Sequence, residues 1–442
     1  MKKFTADFET ATWLPDETWV WAWAVCEIGN EENITIENNI ESFIEFCKKQ
    51  NNAVFYFHNL KFDGEFIIYW LLNNGYEFVS DRKEARDRTF TTLISDMGAF
   101  YQLTIYFKKK GHKTHKATFI DSLKIIPFKV SEIAKGFGLK EQKLEIDYKK
   151  ARSKNHRLTS EEKEYIKNDV VIVAKALNVI FSEGLQKMTQ GSNALQDFKE
   201  ILTKRKFEHY FPNLPPEVDD DIRKSYKGGF TYLNPIYKEV DVGKGIVLDV
   251  NSLYPSCMLL KLPFGEPVYF KGKYKEDKVY NLYVQEIVAC FELKENKIPT
   301  IQIKGRRFEF KETEYLTSSN GELVTLHLTN IDLKLFLEQY DVLEIHYIGG
   351  WKFKSIDGLF TDYITKWTKR KIQASKEGNK SQRSLSKLML NALYGKFATS
   401  LKAQSKIPYI EDGVVHYRLG EVENKKGLYI PIRHIYYSLR KK

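Results

Sequence analysis

Cysteine is scarce in this chain. Four occur among 442 residues, Cys26, Cys47, Cys257 and Cys290, far apart and with no Cys-x-x-Cys pair. That spacing argues against a zinc site or a disulfide framework and fits a reducing compartment. Long apolar runs are absent too: none approaches the ~18 residues that a membrane-spanning helix needs, so no membrane partner is expected. The opening MKKFTADFET has two lysines with no apolar segment behind them, so a secretory signal is not expected. Internal repeats and low-complexity tracts are also missing.

What is present is a globular composition, 43% hydrophobic, at a length that suggests roughly three domains. The charge is uneven. Residues 351–442 carry 20 Lys or Arg against 7 Asp or Glu, a local +13, which leaves −2 for the first 350 residues of a chain whose net charge is +11. A basic segment beside a near-neutral body suggests a polyanion gripped at one end and chemistry elsewhere. A solvated basic surface is the plainer reading, and charge alone does not separate the two.

Along the chain, FTADFETATW and the alternating TWVWAWAVCEI read as strands, and NAVFYFHN as a third running into the apolar FDGEFIIYWLLNNG. Thr159 with Glu162 three residues on forms a capping box, and the following YIKNDVVIVAKALNVIF has helical periodicity. These elements make a mixed α/β unit of about 185 residues, which places a first domain at 1–187 and a second at 188–442. MTQGSN at 188–193 reads as a turn or linker, and KGGF at 227–230 as a Gly-Gly turn. VGKGIVLDVNSLYP reads as an apolar strand ending at Asp249 and turning at Pro255. Residues 261–350 read mainly as strands with glycine-containing loops, and 361–397 as helical and basic. Asp412-Gly413 reads as a turn between strands.

Asp7 and Glu9 are two apart on a strand, so both face one side. Asp63 lies just beyond another strand, four residues after Asn59. Tyr165 and Asp169 are four apart on the capped helix and share a face. Three segments can therefore bring four carboxylates together, where they repel unless cations neutralise them. Hard oxygen ligands of this kind suit Mg²⁺ or Mn²⁺. Two such ions can activate a water and stabilise a leaving oxygen in phosphodiester cleavage, and Tyr165 is placed to orient that water. In this order and on these elements, DFE, NLKFD and YIKND resemble the DEDD-type 3′–5′ exonuclease signature. Ser122 and Leu123 in IDSLK match that family's single-strand-contacting motif, and Lys143 is a candidate phosphate contact. Asn59 and Phe62 join them as DNA contacts; an aromatic at Phe62 either stacks on an unpaired terminal base or belongs to the core.

In the second half, Asp249 at the end of GIVL is a good metal position, and Tyr254 can pack under a bound sugar and disfavour a 2′-hydroxyl. Lys387, Asn391 and Tyr394 fall at i, i+4 and i+7, one stripe of a helix, with Leu385, Leu388 and Ala392 mostly opposite. A lysine, an amide and a tyrosine in a row can hold a triphosphate and stack on its base, with Lys371 as a second phosphate contact. An amphipathic surface helix is the plainer reading.

DVNSLYP and KLMLNALYGKF resemble motifs A and B of family B DNA polymerases. YKGGF, with Tyr226, Gly228 and Gly229, resembles that family's template-touching Tyr-x-Gly-Gly motif. HNLKFDGEFII, RKSYKGGFTYLN and LPFGEP look like the protein-primed branch found in small tailed bacteriophages, and the likeness runs from Asp7 to about Tyr429. It implies a ribonuclease-H-like exonuclease domain followed by a partial palm and fingers, with an insertion near 261–358. It implies two Mg²⁺ (or Mn²⁺) ions held by Asp7, Glu9, Asp63 and Asp169, and Asp249 as a palm ligand. Tyr254, Lys371, Lys387, Asn391 and Tyr394 would then bind a dNTP substrate. The implied partners are a single-stranded 3′ end, a primer-template, and a terminal protein as primer, in the cytoplasm of an infected bacterial host.

The family's second palm carboxylate lies in a Tyr-x-Asp-Thr-Asp hairpin downstream of motif B. The aspartates after Asp249 are Asp277, Asp332, Asp341, Asp357, Asp362 and Asp412, and none is in an Asp-x-Asp string. The expectation is a polymerase site incomplete in this chain, from a frameshifted or truncated gene or a split enzyme with a separate downstream fragment. A one-base shift across Arg433–Lys442 can restore a family-like string. Two other readings are a stand-alone nuclease whose second half only grips DNA, and a catalytically silent protein that binds DNA or terminal protein.

Overall fold

The computed structural model describes residues 1–14, 17–110, 113–302, 315–399 and 405–420; the tail on which the frameshift reading rests lies outside them. The chain divides into two units, Met1–Asp197 with Thr365–Lys442, and Phe198–Ile364.

The first unit is built on an eight-stranded mixed sheet. Its strands are β1 (Lys3–Thr10), β2 (Val20–Glu27), β3 (Asn30–Glu37), β4 (Val54–Phe57), β5 (Glu77–Phe78), β6 (Thr89–Ile94), β7 (Phe100–Lys110) and β8 (Lys113–Asp121). They lie in the order β3-β2-β1-β4-β8-β7-β6-β5. β1 pairs antiparallel with β2 and parallel with β4, which pairs parallel with β8. The helices are α1 (Ile40–Lys49), α2 (Leu60–Asn73), α3 (Val130–Phe137) and α4 (Ser160–Ser182).

Both faces of the central strands are covered, so β2 is buried from Val20 to Cys26. Its Val20, Trp23 and Val25 join the aromatic core around Phe43, Phe55, Phe57 and Phe119, on the side of α1 and α2. Trp21, Ala24 and Cys26 pack on the other side against Tyr165, Ile166 and Val170 of α4. The alternation in TWVWAWAVCEI is thus one of destination between two apolar layers, the pattern of a strand inside a covered sheet. Thr159 caps α4, accepting from the Glu162 N–H while Glu162 accepts from the Thr159 N–H. Such a box contributes about 1 kcal/mol and fixes where the helix starts.

The MTQGSN stretch is not a linker. Helix α5 (Gln190–Leu202) begins inside it, with the Thr189 hydroxyl accepting from the Ser192 N–H as a cap and Asn193 fully buried. The small polar residues that suggested a turn are a helix start.

The second unit begins with α6 (Lys204–Tyr210) and α7 (Pro216–Arg223) and includes the short α8 (Leu253–Cys257). It then forms a four-stranded antiparallel sheet. The strands β9 (Leu262–Lys271), β10 (Leu282–Leu293), β13 (Val324–Thr329) and β14 (Tyr340–Ile356) lie in the order β13-β10-β14-β9, and β11 (Ile301–Gln302) pairs with β12 (Tyr315–Leu316) apart from them. One helix, α9 (Asn330–Gln339), interrupts the expected run of strands; a Thr329–Asp332 capping box starts it, and Leu333 and Phe336 seat it on Ile287 and Phe291.

Three expectations fail here. The apolar GIVLDV forms no strand: Ile246, Val247 and Leu248 are 86%, 98% and 88% exposed, and no strand among the described residues pairs with them. A strand has no stability without a ladder partner, however apolar its residues. Pro255 marks no turn either, but sits inside α8. The Gly-Gly pair at 228–229 is likewise no left-handed turn, since neither glycine has a positive φ.

The chain returns through α10 (Thr361–Lys376), α11 (Lys380–Ala392) and α12 (Tyr394–Phe397), in the helical stretch that periodicity predicts. Within the first unit, the Ser381 and Ser384 hydroxyls donate to the carbonyls of Phe137 and Gly136 at the end of α3, and Arg370 and Gln382 both reach Glu183. The last pair, β15 (Lys406–Glu411) and β16 (Val414–Leu419), is an antiparallel hairpin. It turns at Asp412 and Gly413, whose φ of 50° and 74° are those of a tight hairpin turn. Val415 and Tyr417 of this hairpin enter the aromatic core, and the Tyr417 hydroxyl donates to Glu65 on α2.

Candidate active site

Period two on β1 sends Phe4, Ala6 and Phe8 into the aromatic core and turns Thr5, Asp7 and Glu9 to the side of α4. The Thr5 hydroxyl ties that side down by donating to the Val170 carbonyl of α4, 2.8 Å away. On α4, Tyr165 and Asp169 are one turn apart and both buried. One oxygen from each of Asp7, Glu9 and Asp169 falls within 4.8 Å of the others. Asp63 comes from the first turn of α2, which Asn59 opens with a φ of 83°. It lines the same cleft of about 260 Å³, but stands outside that tight group. Its Oδ1 accepts from the Phe8 N–H at 3.1 Å, so Asp63 is held to the backbone between Asp7 and Glu9.

Burial and like charge dominate the electrostatics. Burial, then the neighbouring Asp169, pushes the Asp7 carboxyl up to about 7 against the pull of Lys143. Burial and Asp7 hold Glu9 well above the ordinary range, and the same two causes raise Asp63. Burial raises Asp169, opposed by the Lys143 ammonium paired with its Oδ2. The other oxygen, Oδ1, is buried with no hydrogen-bond partner among the described residues. Clustered carboxylates with an oxygen to spare are the donor set of a hard divalent cation, so these residues fit Mg²⁺ or Mn²⁺.

Tyr165 is held protonated, because burial and the adjacent Glu9 both oppose a phenolate. Its hydroxyl is hydrogen-bonded to that of Tyr148, which sequence reasoning missed. Tyr148 belongs to a loop with no periodicity to mark it, and its only signal was the IDY string that follows Lys143. Phe62 is on the rim, 48% exposed, and not in the core. Asn59 and Lys143 also line the cleft. Ser122 and Leu123 do not: Ser122 is fully buried, its hydroxyl 3.0 Å from the Phe57 carbonyl and 3.1 Å from Nδ1 of His58.

The sequence profile of the family DNA polymerase type B, organellar and viral, matches residues 44–439. The chain belongs to the type B DNA polymerases. It is 47% identical to the DNA polymerase of Bacillus phage M2 over 433 residues, which covers 98% of this chain and 74% of that relative. Its fold is similar to that of phi29 DNA polymerase complexed with single-stranded DNA, with a TM-score of 0.89 and 44% identity over 96% of this chain and 72% of the other. The same figures hold for phi29 DNA polymerase complexed with primer-template DNA.

The remaining residues of this type B chain divide between the units. In the second unit Asp249 is exposed, on the unpaired segment before α8, and Tyr254 on α8 is 46% exposed. A Cβ at Gly229 would stand 3.6 Å from the Tyr254 hydroxyl, so the Tyr226–Gly229 segment runs past Tyr254. In the first unit Lys387 and Asn391 form an exposed stripe on α11, with Leu385 and Leu388 buried behind it. Tyr394 lies beyond the end of α11, in α12, and remains 39% exposed. Lys371 is partly exposed on α10.

Proposed function

We propose that the protein serves phage DNA replication as a DNA-directed DNA polymerase chain, and that its first unit removes nucleotides from DNA 3′ ends by divalent-metal-assisted hydrolysis. The observation that carries the nuclease reading is the convergence of Asp7, Glu9 and Asp169 beside a protonated Tyr165. Asp7, Glu9, Asp63 and Asp169 would hold two Mg²⁺ or Mn²⁺ ions. Bound there, such ions supply charge neutralisation and Lewis acidity, easing deprotonation of a water and departure of the 3′ oxygen.

The chain's own groups do the rest. Tyr165 keeps its proton and so orients the attacking water by hydrogen bonding. Lys143 is within reach of a phosphate oxygen once it leaves Asp169. Phe62 on the rim offers a face on which an unpaired terminal base can stack. Asn59 at the start of α2 faces the same strand; Ser122 and Leu123, proposed as further strand contacts, lie behind His58, whose Nδ1 meets the Ser122 hydroxyl.

For nucleotidyl transfer, Asp249 is the proposed palm ligand. Tyr254, Lys371, Lys387, Asn391 and Tyr394 are the proposed contacts of an incoming dNTP, and Tyr226, Gly228 and Gly229 those of the template. A terminal protein as primer and the cytoplasm of an infected bacterium complete this reading. No Asp-x-Asp string follows Asp249 within these 442 residues. The stand-alone nuclease is the second reading, favoured by the exposed segment that carries Asp249.

A labelled single strand and a labelled primer-template test both. Shortening with Mg²⁺ or Mn²⁺ that is lost in Asp7→Ala and Asp169→Ala supports the nuclease; its absence in the unaltered chain refutes it. Extension with dNTPs that is lost in Asp249→Ala would show a complete polymerase.

A further inference from the structure

Arg152 is 3% exposed, an unusual place for a guanidinium. It lies over the Trp21 ring at 4.5 Å, and its Nε donates to Glu162 Oε1 at 2.7 Å. Its Nη1 donates to two carbonyls, Asp147 at 2.8 Å and Lys150 at 3.0 Å. Those carbonyls bracket Tyr148. The same arginine's own carbonyl accepts from Trp19 Nε1, and Thr12 donates to the Tyr148 carbonyl, so the loop is tied at both ends to the connection between β1 and β2.

Glu162 is the other half of the clamp. It is buried, and its Oε2 takes the Thr159 N–H at 3.0 Å and His156 Nε2 at 2.7 Å. It sits one helical turn before Tyr165. The Arg152–Glu162 ion pair, with Lys150 at a longer 3.8 Å from the same carboxylate, therefore joins the loop that carries Tyr148 to the helix that carries Tyr165, whose hydroxyls meet. A lysine could supply the charge but not the planar fork that reaches a carboxylate and two carbonyls at once.

We propose that Arg152, held by Glu162, is a positioning residue that sets Tyr148 on Tyr165 and thereby fixes the hydroxyl that orients the attacking water. The inference rests on the nuclease reading above. Arg152 lines no part of the cleft; it acts through the tyrosine pair, and its charge also favours the Glu9 carboxylate. Substitutions behind a reacting group typically lower activity 10–100-fold, so Arg152→Ala should lower kcat for shortening a single-stranded oligonucleotide by about that factor. KM should stay within about threefold.

The deciding experiment is a double-mutant cycle on kcat with Arg152→Ala and Tyr148→Phe. The expected result is that Arg152→Ala changes kcat less than threefold once Tyr148→Phe is present, and that Arg152→Lys fails to restore the single variant. Full additivity, restoration by lysine, or an unchanged kcat in Arg152→Ala would overturn the proposal. If Arg152→Ala does not fold, Glu162→Gln takes its place in the cycle, with the same two outcomes.

A readout without metal accompanies it. In EDTA, the near-ultraviolet circular dichroism difference between the unaltered chain and Tyr148→Phe should vanish in the Arg152→Ala or Glu162→Gln background. A persisting difference overturns the proposal. A chain that shortens no DNA before any substitution refutes the nuclease reading instead, and the two failures are thereby distinct.

Discussion

The Lys143 ammonium rests on Oδ2 of Asp169 while Oδ1 of the same carboxylate is buried with no partner among the described residues. Burial works against the Lys143 charge, but Asp169 outweighs it and the net shift is upward. The lysine thus partly neutralises a cluster that cannot all ionise at once, and it competes with any cation that approaches Asp169.

Replacing that lysine should therefore tighten metal binding. Lys143→Met is expected to raise Mn²⁺ affinity at least about fivefold, since a unit charge at contact distance is worth more than 1 kcal/mol at the dielectric of a partly buried site. Titration of free Mn²⁺ by electron paramagnetic resonance measures it. Weaker binding would show that Lys143 organises the carboxylates instead of competing for them.

Asp7→Ala and Asp169→Ala should each lower the rate of 3′-end shortening by more than about 100-fold, the loss of several kcal/mol of charge stabilisation. Asp249→Ala should leave it within about twofold, because Asp249 belongs to the other unit. Gel analysis of a 5′-labelled oligonucleotide gives all three rates.

The hairpin of β15 and β16 should make stability depend on pH. Burial pushes the Glu65 carboxyl up to about 7 despite the hydrogen bond from Tyr417. In the unfolded chain it titrates near the ordinary ~4.3. Between those values the folded state binds the extra proton, so this group's contribution falls as pH rises through the window and is level outside it. Glu65→Gln should match the unaltered chain near pH 4, below the window, and be more stable at pH 8, by on the order of 3 kcal/mol. Thermal melts at both pH values check the sign, and the difference between the two proteins removes the contribution of the cleft carboxylates.

Binding to a single-stranded oligonucleotide should weaken steeply with salt, with log K falling by about 0.7 per phosphate contact for each unit of log salt. Lys387→Ala, on the exposed stripe of α11, should leave that slope unchanged, since Lys387 is assigned to the incoming dNTP. A slope reduced by about one contact would place Lys387 on the nucleic acid instead.

Local rules found most of the elements that form the cleft. Asp7 and Glu9 share a face because a strand has period two, and Tyr165 and Asp169 share one because a capped helix has period near four. The same rules could not separate Asp63 from the other carboxylates, since its tie to the Phe8 N–H is a contact across 55 residues. Tyr148 and Arg152 escaped for a similar reason, as an irregular loop has no period and its anchors are long-range. GIVLDV misled because apolar composition speaks for burial only where a neighbour exists. MTQGSN misled because a helix cap and a linker use the same small polar residues.

The bare run from Ile246 to Leu248 also bears on how the protein should behave at high concentration. Greasy side chains without a ladder partner are a template for sticking to other copies. Val247→Lys should therefore raise the concentration at which a purified solution turns cloudy while leaving the carboxylate cleft as it is.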